Sequence, residues 1–436
     1  MSAPLMRRAG ISRETPLSLT VFLVALFGIP ARFLLPGLGA AGAPAAMLGL
    51  AMLGLVILAA VTPGSRRIPW GPVTAALLLY SGVLFASYVS GRTRPVSALG
   101  SSQSDRNVIA FMSLVGIALF VASHIRSAEG VRRLVDIVLY CSMIMCGVGL
   151  IQFFLGIDIA GRIRIPGLVS YQVENLASRS IFNRPPGTAL HPIEYGVVTA
   201  GLVPVALARA MQTRRKVMWT IAFVLAFCSL TSISRSAVLV LAVMFVIFVV
   251  GLSWRQRANL AIGAVVFVIV AGSAVPGLVG TLRSLFVNTD NDPSVQARLN
   301  RAPRVIELVS EYPWFGRGYG QYNITDYFLL DNEIQKMSIE IGVLGLLAFV
   351  GFVLSIAWTL VQVSQRLPDF RVEAYAILAS ILGILVSSYT FDAFYYHILS
   401  GVLYVNIGLA AALWALVRRE EANGPQAVES EPLVRA

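Results

Sequence analysis

Charge is what this chain has least of. Asp, Glu, Lys and Arg make up 13% of its 436 residues, against about 25% in an average soluble domain. With 57% hydrophobic residues and a mean hydropathy of +0.76, an ordinary soluble domain is excluded. Cysteine is nearly absent as well: Cys141, Cys146 and Cys228 all fall inside apolar runs, so no disulfide framework is expected. There are three histidines. His124 is expected on the opposite side of the membrane from His191, so a zinc site is not expected, nor any other metal or cofactor. The glycine-rich stretch Tyr312-Pro-Trp-Phe-Gly-Arg-Gly-Tyr-Gly320 lacks the Lys-Ser/Thr of a phosphate-binding P-loop and follows no strand. It reads as a turn with aromatics at the membrane surface. No internal repeat is visible, which weakens an inverted-repeat transporter reading.

What is present is a series of long, continuous apolar runs. In lipid every backbone polar group must be satisfied within its own element, and continuous runs of roughly 20 apolar residues select helices over barrel strands. The expectation is an all-α polytopic membrane protein of about twelve spans, at 17–35, 44–61, 72–90, 107–123, 134–155, 192–209, 217–232, 236–252, 258–279, 336–361, 372–388 and 400–417. Arg7, Arg8 and Arg13 before the first run, and Ala41-Gly42-Ala43 after it, have features of a signal peptide. The run is long for one and other spans follow, so it reads as an uncleaved first helix. The chain divides into spans one to nine (1–279, with a loop at about 156–191), an extracytoplasmic loop (280–335), spans ten to twelve (336–417) and a polar cytoplasmic tail (418–436).

The net charge of +12 raises the question of a nucleic-acid partner, but its distribution answers it. Arg66-Arg67, Arg126, Arg132-Arg133, Arg209, Arg214-Arg215-Lys216, Arg255, Arg257, Arg366, Arg371 and Arg418-Arg419 all fall on the short even-numbered loops and the tail. The outer loops at 36–43 and 389–399 have no Lys or Arg. The positive-inside rule is met with both termini in the cytoplasm and the long loops facing the exterior of a bacterial cytoplasmic membrane. The partner this implies is the lipid bilayer, not nucleic acid.

Loops longer than about 12–15 residues are usually functional or disordered, and the two long outer ones mix aromatics, Pro and Gly with charge. In the second, Asp292-Pro293 reads as an N-cap and first helical position. Val295, Leu299, Ala302, Ile306 and Val309 form an amphipathic stripe kinked by Pro303, lying on the membrane surface or over a cavity, with Arg298, Arg301 and Arg304 on its other face.

Arginine on the outer side is not explained by topology. Arg162, Arg164, Arg179 and Arg184 lie in the first long loop, and Arg283, Arg298, Arg301, Arg304, Arg317 and Lys336 in or just after the second. Arg235 sits in Ser232-Ile-Ser-Arg-Ser236 between two apolar runs, where an unpaired charge costs roughly 2.5–3.5 kcal/mol or more. It is either a snorkelling topology residue or part of an anion site, since guanidinium forks match phosphate oxygens. His191, in Asn183-Arg-Pro-Pro-Gly-Thr-Ala-Leu-His-Pro192, is a base, a ligand or a structural hydrogen-bonding residue at a helix start. Asp331-Asn332-Glu333 stands before span ten. Asp331 is placed to accept a proton from an acceptor hydroxyl, and Glu340 either faces a water-filled cavity or supports an arginine.

These pieces, in their order, resemble the O-antigen ligase and polysaccharide polymerase superfamily of bacterial membrane glycosyltransferases. The likeness rests on Arg184 to Gly196, Ser234-Arg235-Ser236, Arg298, Pro313 to Gly320, Asp331-Asn332, Glu340, Gly342 and Gly345. It implies a fold similar to the GT-C glycosyltransferases and an inverting, metal-independent displacement at the outer face. The donor would be a glycan on a polyprenyl (undecaprenyl) pyrophosphate, and the acceptor another glycan or lipid A–core. Arg184 and Arg235 would hold the pyrophosphate and Asp331 would act as base, with His191, Arg298, Arg317, Asn332 and Glu340 binding substrate or supporting the site. Ligases of the family carry His-Asn where this chain has Asp331-Asn332, which points to an exopolysaccharide or O-antigen polymerase, with a ligase as the near alternative. A transporter or flippase for lipid-linked glycans is the alternative of another class. It would call for charges along the middle of several spans, and almost none are there.

Overall fold

The computed structural model describes residues 16–65, 67–170, 178–179, 182–287 and 293–422. The chain folds into fifteen α-helices among those residues: α1 Leu17–Gly28, α2 Pro44–Val61, α3 Pro72–Arg92, α4 Ala98–His124, α5 Ala128–Leu155, α6 Ile159–Arg162, α7 Pro192–Thr213, α8 Lys216–Thr231, α9 Arg235–Val250, α10 Trp254–Ala274, α11 Leu278–Val287, α12 Pro293–Glu311, α13 Glu333–Arg366, α14 Arg371–Ser387 and α15 His397–Ala422. Nine candidate spans are long and apolar enough to cross a membrane, and α1, α8 and α9 are shorter apolar helices. Together they supply the about twelve spans expected of an all-α polytopic membrane protein. α7 and α15 run through the middle of the bundle, nearly every residue buried. Among the described residues strand structure is limited to two two-residue pairs, β1 Phe33–Leu34 with β2 Val169–Ser170 and β3 Ser178–Arg179 with β4 Phe182–Asn183, both antiparallel.

Some boundaries differ from the expected ones, each for a local reason. The first span was expected to reach residue 35, but α1 stops at Gly28. Ile29 turns extended (φ −87°, ψ 119°) because it precedes Pro30, whose ring disfavours helix in the residue before it. The ninth span, expected at 258–279, stops at Ala274 ahead of Pro276-Gly277. The amphipathic helix of the second long loop is α12, continuous through Pro303. Asp292, its expected cap, lies outside the described residues. The stripe shifts: Val305, Leu308 and Val309 pack on Tyr322, Leu330 and Ile339, whereas Ile306 is 70% exposed. α12 therefore covers protein with its apolar face.

The feature that organises the loop end of the bundle is a break inside α13. Gly342 has φ 62° and ψ −165°, a region essentially reserved for glycine. A break there would strand backbone groups that lipid cannot satisfy. The glycine-rich loop fills it. Arg317 N donates to Ile339 O (2.8 Å) and Gly318 N to Glu340 O (2.9 Å), while Val343 N donates to Pro313 O (2.8 Å) and Leu344 N to Trp314 O (3.1 Å). Ser87 of α3 adds its hydroxyl to Glu340 O at 2.9 Å and Phe315 O at 2.8 Å. The surface turn expected at 312–320 is thus a plug seated in a transmembrane helix. Trp314 and Phe315 remain outside, 64% and 38% exposed, as an aromatic pair at the surface.

A Cβ on Gly342 would lie 2.6 Å from Gly316 N, Pro313 O and Trp314 O, whereas one on Gly351 of the same helix meets nothing within 4 Å. Gly342→Ala is expected to lose at least about 1–3 kcal/mol from backbone conformation alone, and Gly351→Ala to be near neutral. Thermal unfolding of the two purified variants checks this; equal melting temperatures would contradict the plug.

Candidate functional site

The segment entering α7 is fixed before any functional side chain is placed. Gln152, fully buried near the end of α5, clamps the turn: its Oε1 accepts from Gly187 N at 2.7 Å, and its Nε2 donates to Gly187 O at 3.2 Å and to Asp158 Oδ1 at 3.2 Å. Asp158 pairs with the buried Arg32 at 3.1 Å. The Thr188 hydroxyl donates to Phe27 O at 2.8 Å, and Thr188 O accepts from Ala31 N at 2.8 Å, tying the turn to the end of α1.

His191 is the N-cap of α7, with Nδ1 accepting from Ile193 N at 3.1 Å. Burial, with help from the nearby Arg184 charge, lowers its pKa to about 4. It is therefore neutral at physiological pH and carries its proton on Nε2, since Nδ1 is the acceptor. Such a residue offers one N–H donor and is a poor base. Glu194 stands at the third helical position, where a glutamate often reaches back to its own cap. Its carboxylate accepts from Leu190 N at 2.8 Å and, across the bundle, from Ile398 N at 3.0 Å and Leu399 N at 3.3 Å. The orphan N–H groups that start α15 are thereby tied to the start of α7.

The two arginines expected to bind pyrophosphate come to one turn. Arg184 Nε donates to Ser232 O at 3.0 Å, and Arg235 is the first residue of α9, three positions on. Between them Ile233 is held at φ 47°, a strained conformation for a β-branched residue. Its side chain is fully buried with Phe153, Val275 and Leu278. Strain of this kind costs of order 1–3 kcal/mol and tends to collect where function requires it. The turn is linked onward by a 2.6 Å hydrogen bond between the Thr390 and Ser236 hydroxyls.

Thr390 belongs to the wall of a cavity of about 1190 Å³ that also takes in His191, Asp331 and Glu340. Asp331 faces it just before α13 and makes no ion pair among the described residues. Arg184 and Arg235 are not in that wall: they stand behind it, joined to it through His191 and Thr390. Lys336 is in the wall, 3.1 Å from Asp392 Oδ1 and 3.4 Å from Oδ2. Burial would raise the Asp392 carboxyl, but the Lys336 charge and hydrogen bonds from Glu333 and Lys336 hold it below the ordinary range. Glu333 Oε2 also accepts from Phe394 N at 3.1 Å.

The remaining expected residues have other work. Asn332 is the N-cap of α13, its Oδ1 accepting from Gln335 N at 3.1 Å. Glu340, buried beside the break, accepts from Tyr322 N at 3.1 Å through Oε1, so it holds the glycine-rich loop and no arginine. Arg317 is ion-paired with Glu311, donates to the Tyr327 hydroxyl at 3.2 Å, and lies over the rings of Tyr312 and Tyr327, away from the cavity. Arg298 is on α12, with its side chain outside the described residues. The Lys336–Asp392–Glu333 cluster and the clamps Gln152 and Glu194 were not singled out from the sequence. Glu194 left a signal, an acidic residue three places after a cap, but two of its partners, Ile398 N and Leu399 N, lie about two hundred residues away.

A family model described as O-antigen ligase matches residues 220–350. The match takes in Arg235, Arg298, Arg317, Asp331, Asn332 and Glu340, while Arg184 and His191 precede it. It supports the O-antigen ligase and polymerase superfamily for this chain, and with it a glycan transferase of that type. No curated protein matches the chain.

The depressed His191 pKa has a measurable consequence. The folded state disfavours the imidazolium, so the stabilisation is complete above the unfolded value near 6.5 and is lost as pH falls towards about 4. His191→Asn keeps a capping acceptor without a titrating ring. Melting temperatures at pH 7.5 and pH 5 are expected to fall further for the wild type than for the variant; an equal fall would contradict a buried neutral histidine.

Proposed function

We propose that this protein is a glycan polymerase of the outer face of a bacterial cytoplasmic membrane. Its donor is an oligosaccharide on polyprenyl (undecaprenyl) pyrophosphate, and its acceptor a hydroxyl of another lipid-linked glycan. The observation that carries the reading is one large cavity with Asp331 in its wall, a carboxylate without an ion pair among the described residues, and the strained two-arginine turn behind that wall, linked to it by the Thr390–Ser236 hydrogen bond, in a chain whose residues 220–350 match the O-antigen ligase family.

The chemistry follows from the charges. The acceptor oxygen attacks the anomeric carbon while Asp331 takes its proton. The bond from that carbon to the pyrophosphate oxygen breaks, and the electron pair leaves with polyprenyl pyrophosphate. Charge grows on the leaving group as the bond breaks, and Arg184 and Arg235 are the cations assigned to stabilise it. Attack from the face opposite the leaving group inverts the anomeric centre, and no metal is invoked. His191 supplies an N–H donor, not a base. Transfer to lipid A–core is the second reading, favoured by the ligase description of the matched family.

Purified protein supplied with a polyprenyl-pyrophosphate glycan is expected to release polyprenyl pyrophosphate and build a ladder of lengthened glycans. Asp331→Asn is expected to lower the rate roughly 10²–10⁴-fold, the usual range for losing a positioned base. Arg184→Ala and Arg235→Ala should each cost about 10²–10³-fold, by analogy with loss of one electrostatic stabiliser. Melting temperatures distinguish lost chemistry from lost fold. A normal ladder from all three folded variants would overturn the assignment, and a single transfer to lipid A–core without a ladder would favour the ligase.

A further inference from the structure

The cavity continues below Asp331, and its lower part has a chemistry the transfer step does not use. Phe111 of α4 is a hub there. The rings of Tyr80, Tyr319 and Tyr404 stand edge-on to it at 6.0, 5.9 and 6.3 Å, with interplanar angles of 88°, 67° and 87°. Phe352 stacks on Tyr80 at 5.7 Å. The three tyrosines come from α3, the glycine-rich loop and α15, and all line the cavity. At 1.5 Å per helical residue, Tyr404 lies about 10 Å below the start of α15 and Tyr80 about 18 Å below the end of α3. Among the described residues none of the three hydroxyls makes a hydrogen bond within the protein. Tyr80 is within electrostatic reach of Tyr404, Tyr319, Glu333 and Glu340, so hydroxyls and carboxylates converge on one space.

We infer that this lower chamber is a saccharide subsite that takes neutral pyranose residues of the lipid-linked glycan; the inference rests on the transferase reading above. Three occupants compete on physical grounds. A hydrocarbon tail would leave three phenols buried without partners, which is costly. A carboxylated sugar would bring a further acidic group beside Glu333, Glu340 and Asp392, where the buried Lys336 is already paired with Asp392. A neutral pyranose satisfies both parts of the lining: its hydroxyl rim serves the phenols and carboxylates, and its C–H face lies on the aromatic walls. At about 1190 Å³ the cavity exceeds the 300–1,000 Å³ usual for small-ligand pockets, so it has room for more than one sugar.

The test uses full-length protein in nanodiscs and two probes: the neutral repeat-unit oligosaccharide freed from its carrier by mild acid, and sugar-free undecaprenyl pyrophosphate. Tyr80→Phe and Tyr404→Phe remove only the hydroxyls and keep the packing. Each is expected to weaken oligosaccharide binding roughly five- to tenfold, the weight of one neutral hydrogen bond, and to leave sugar-free carrier binding unchanged. Equal weakening for both probes, or none for either, overturns the subsite. Wild-type protein that binds the carrier but not the oligosaccharide also overturns it and leaves the transferase reading standing. Wild-type protein that binds neither overturns both.

Discussion

A helix that breaks inside a membrane bundle leaves N–H and C=O groups with no water to turn to, and the arrangement of this protein follows from how that problem is met at Gly342. The partners come from a loop some thirty residues earlier, seated backbone to backbone in the gap from Ile339 to Leu344 and held from the side by Ser87. Once seated, the loop has no freedom to wander. It carries Tyr319 and Tyr322 into the cavity wall, and Glu340 fastens it through Tyr322 N. The same break lets the upper part of α13 bring Glu333 and Lys336 against Asp392 at the end of α14. A continuous α13 would have no place for the loop, and the cavity would lose a wall.

Charge in this bundle is divided between holding and acting. Arg32 with Asp158, Arg209 with Asp136 and Arg317 with Glu311 are engaged pairs that fix loops and helix ends. Glu194 and Gln152 do the same with backbone groups as partners. Against that background the turn from Ser232 to Ser236 stands out, because it takes Arg184 on Ser232 O and starts α9 with Arg235 at the cost of a strained Ile233. A fold needing only a tight connection between α8 and α9 had a cheaper solution in glycine. The conformation kept here presents Arg235 at the head of α9 and offers Ser232 O to Arg184.

The legible part of the fold was the part set by solvation. Every span announced itself as an apolar run, and errors came at the ends, where single prolines such as Pro30 and Pro276 decide the last turn. Arg184 and Arg235 were legible because charge beside apolar runs is expensive, and the structure brings both to one turn. Less legible was anything depending on a partner far along the chain. Glu340 read as a candidate site residue, yet it grips the loop at Tyr322; Asn332 is a cap; Arg317 belongs to Glu311 and two tyrosines. The glycine-rich stretch read as a surface turn because nothing local says that a helix downstream will open to receive it. The phenol ring around Phe111 left no trace at all, since its members are scattered over α3, α4, a loop and α15, each an ordinary aromatic in an apolar setting.

In the proposed transferase one cavity and the arginine turn behind its wall together hold a lipid-linked glycan for transfer. The most direct test of this is a cryo-EM map of the Asp331→Asn protein in nanodiscs with a non-hydrolysable polyprenyl-pyrophosphate glycan. Pyrophosphate density is expected against Arg184 and Arg235, with the first sugar's anomeric carbon inside the cavity next to residue 331. Pyrophosphate bound elsewhere, with the cavity and the Ser232–Ser236 turn unoccupied, would contradict it.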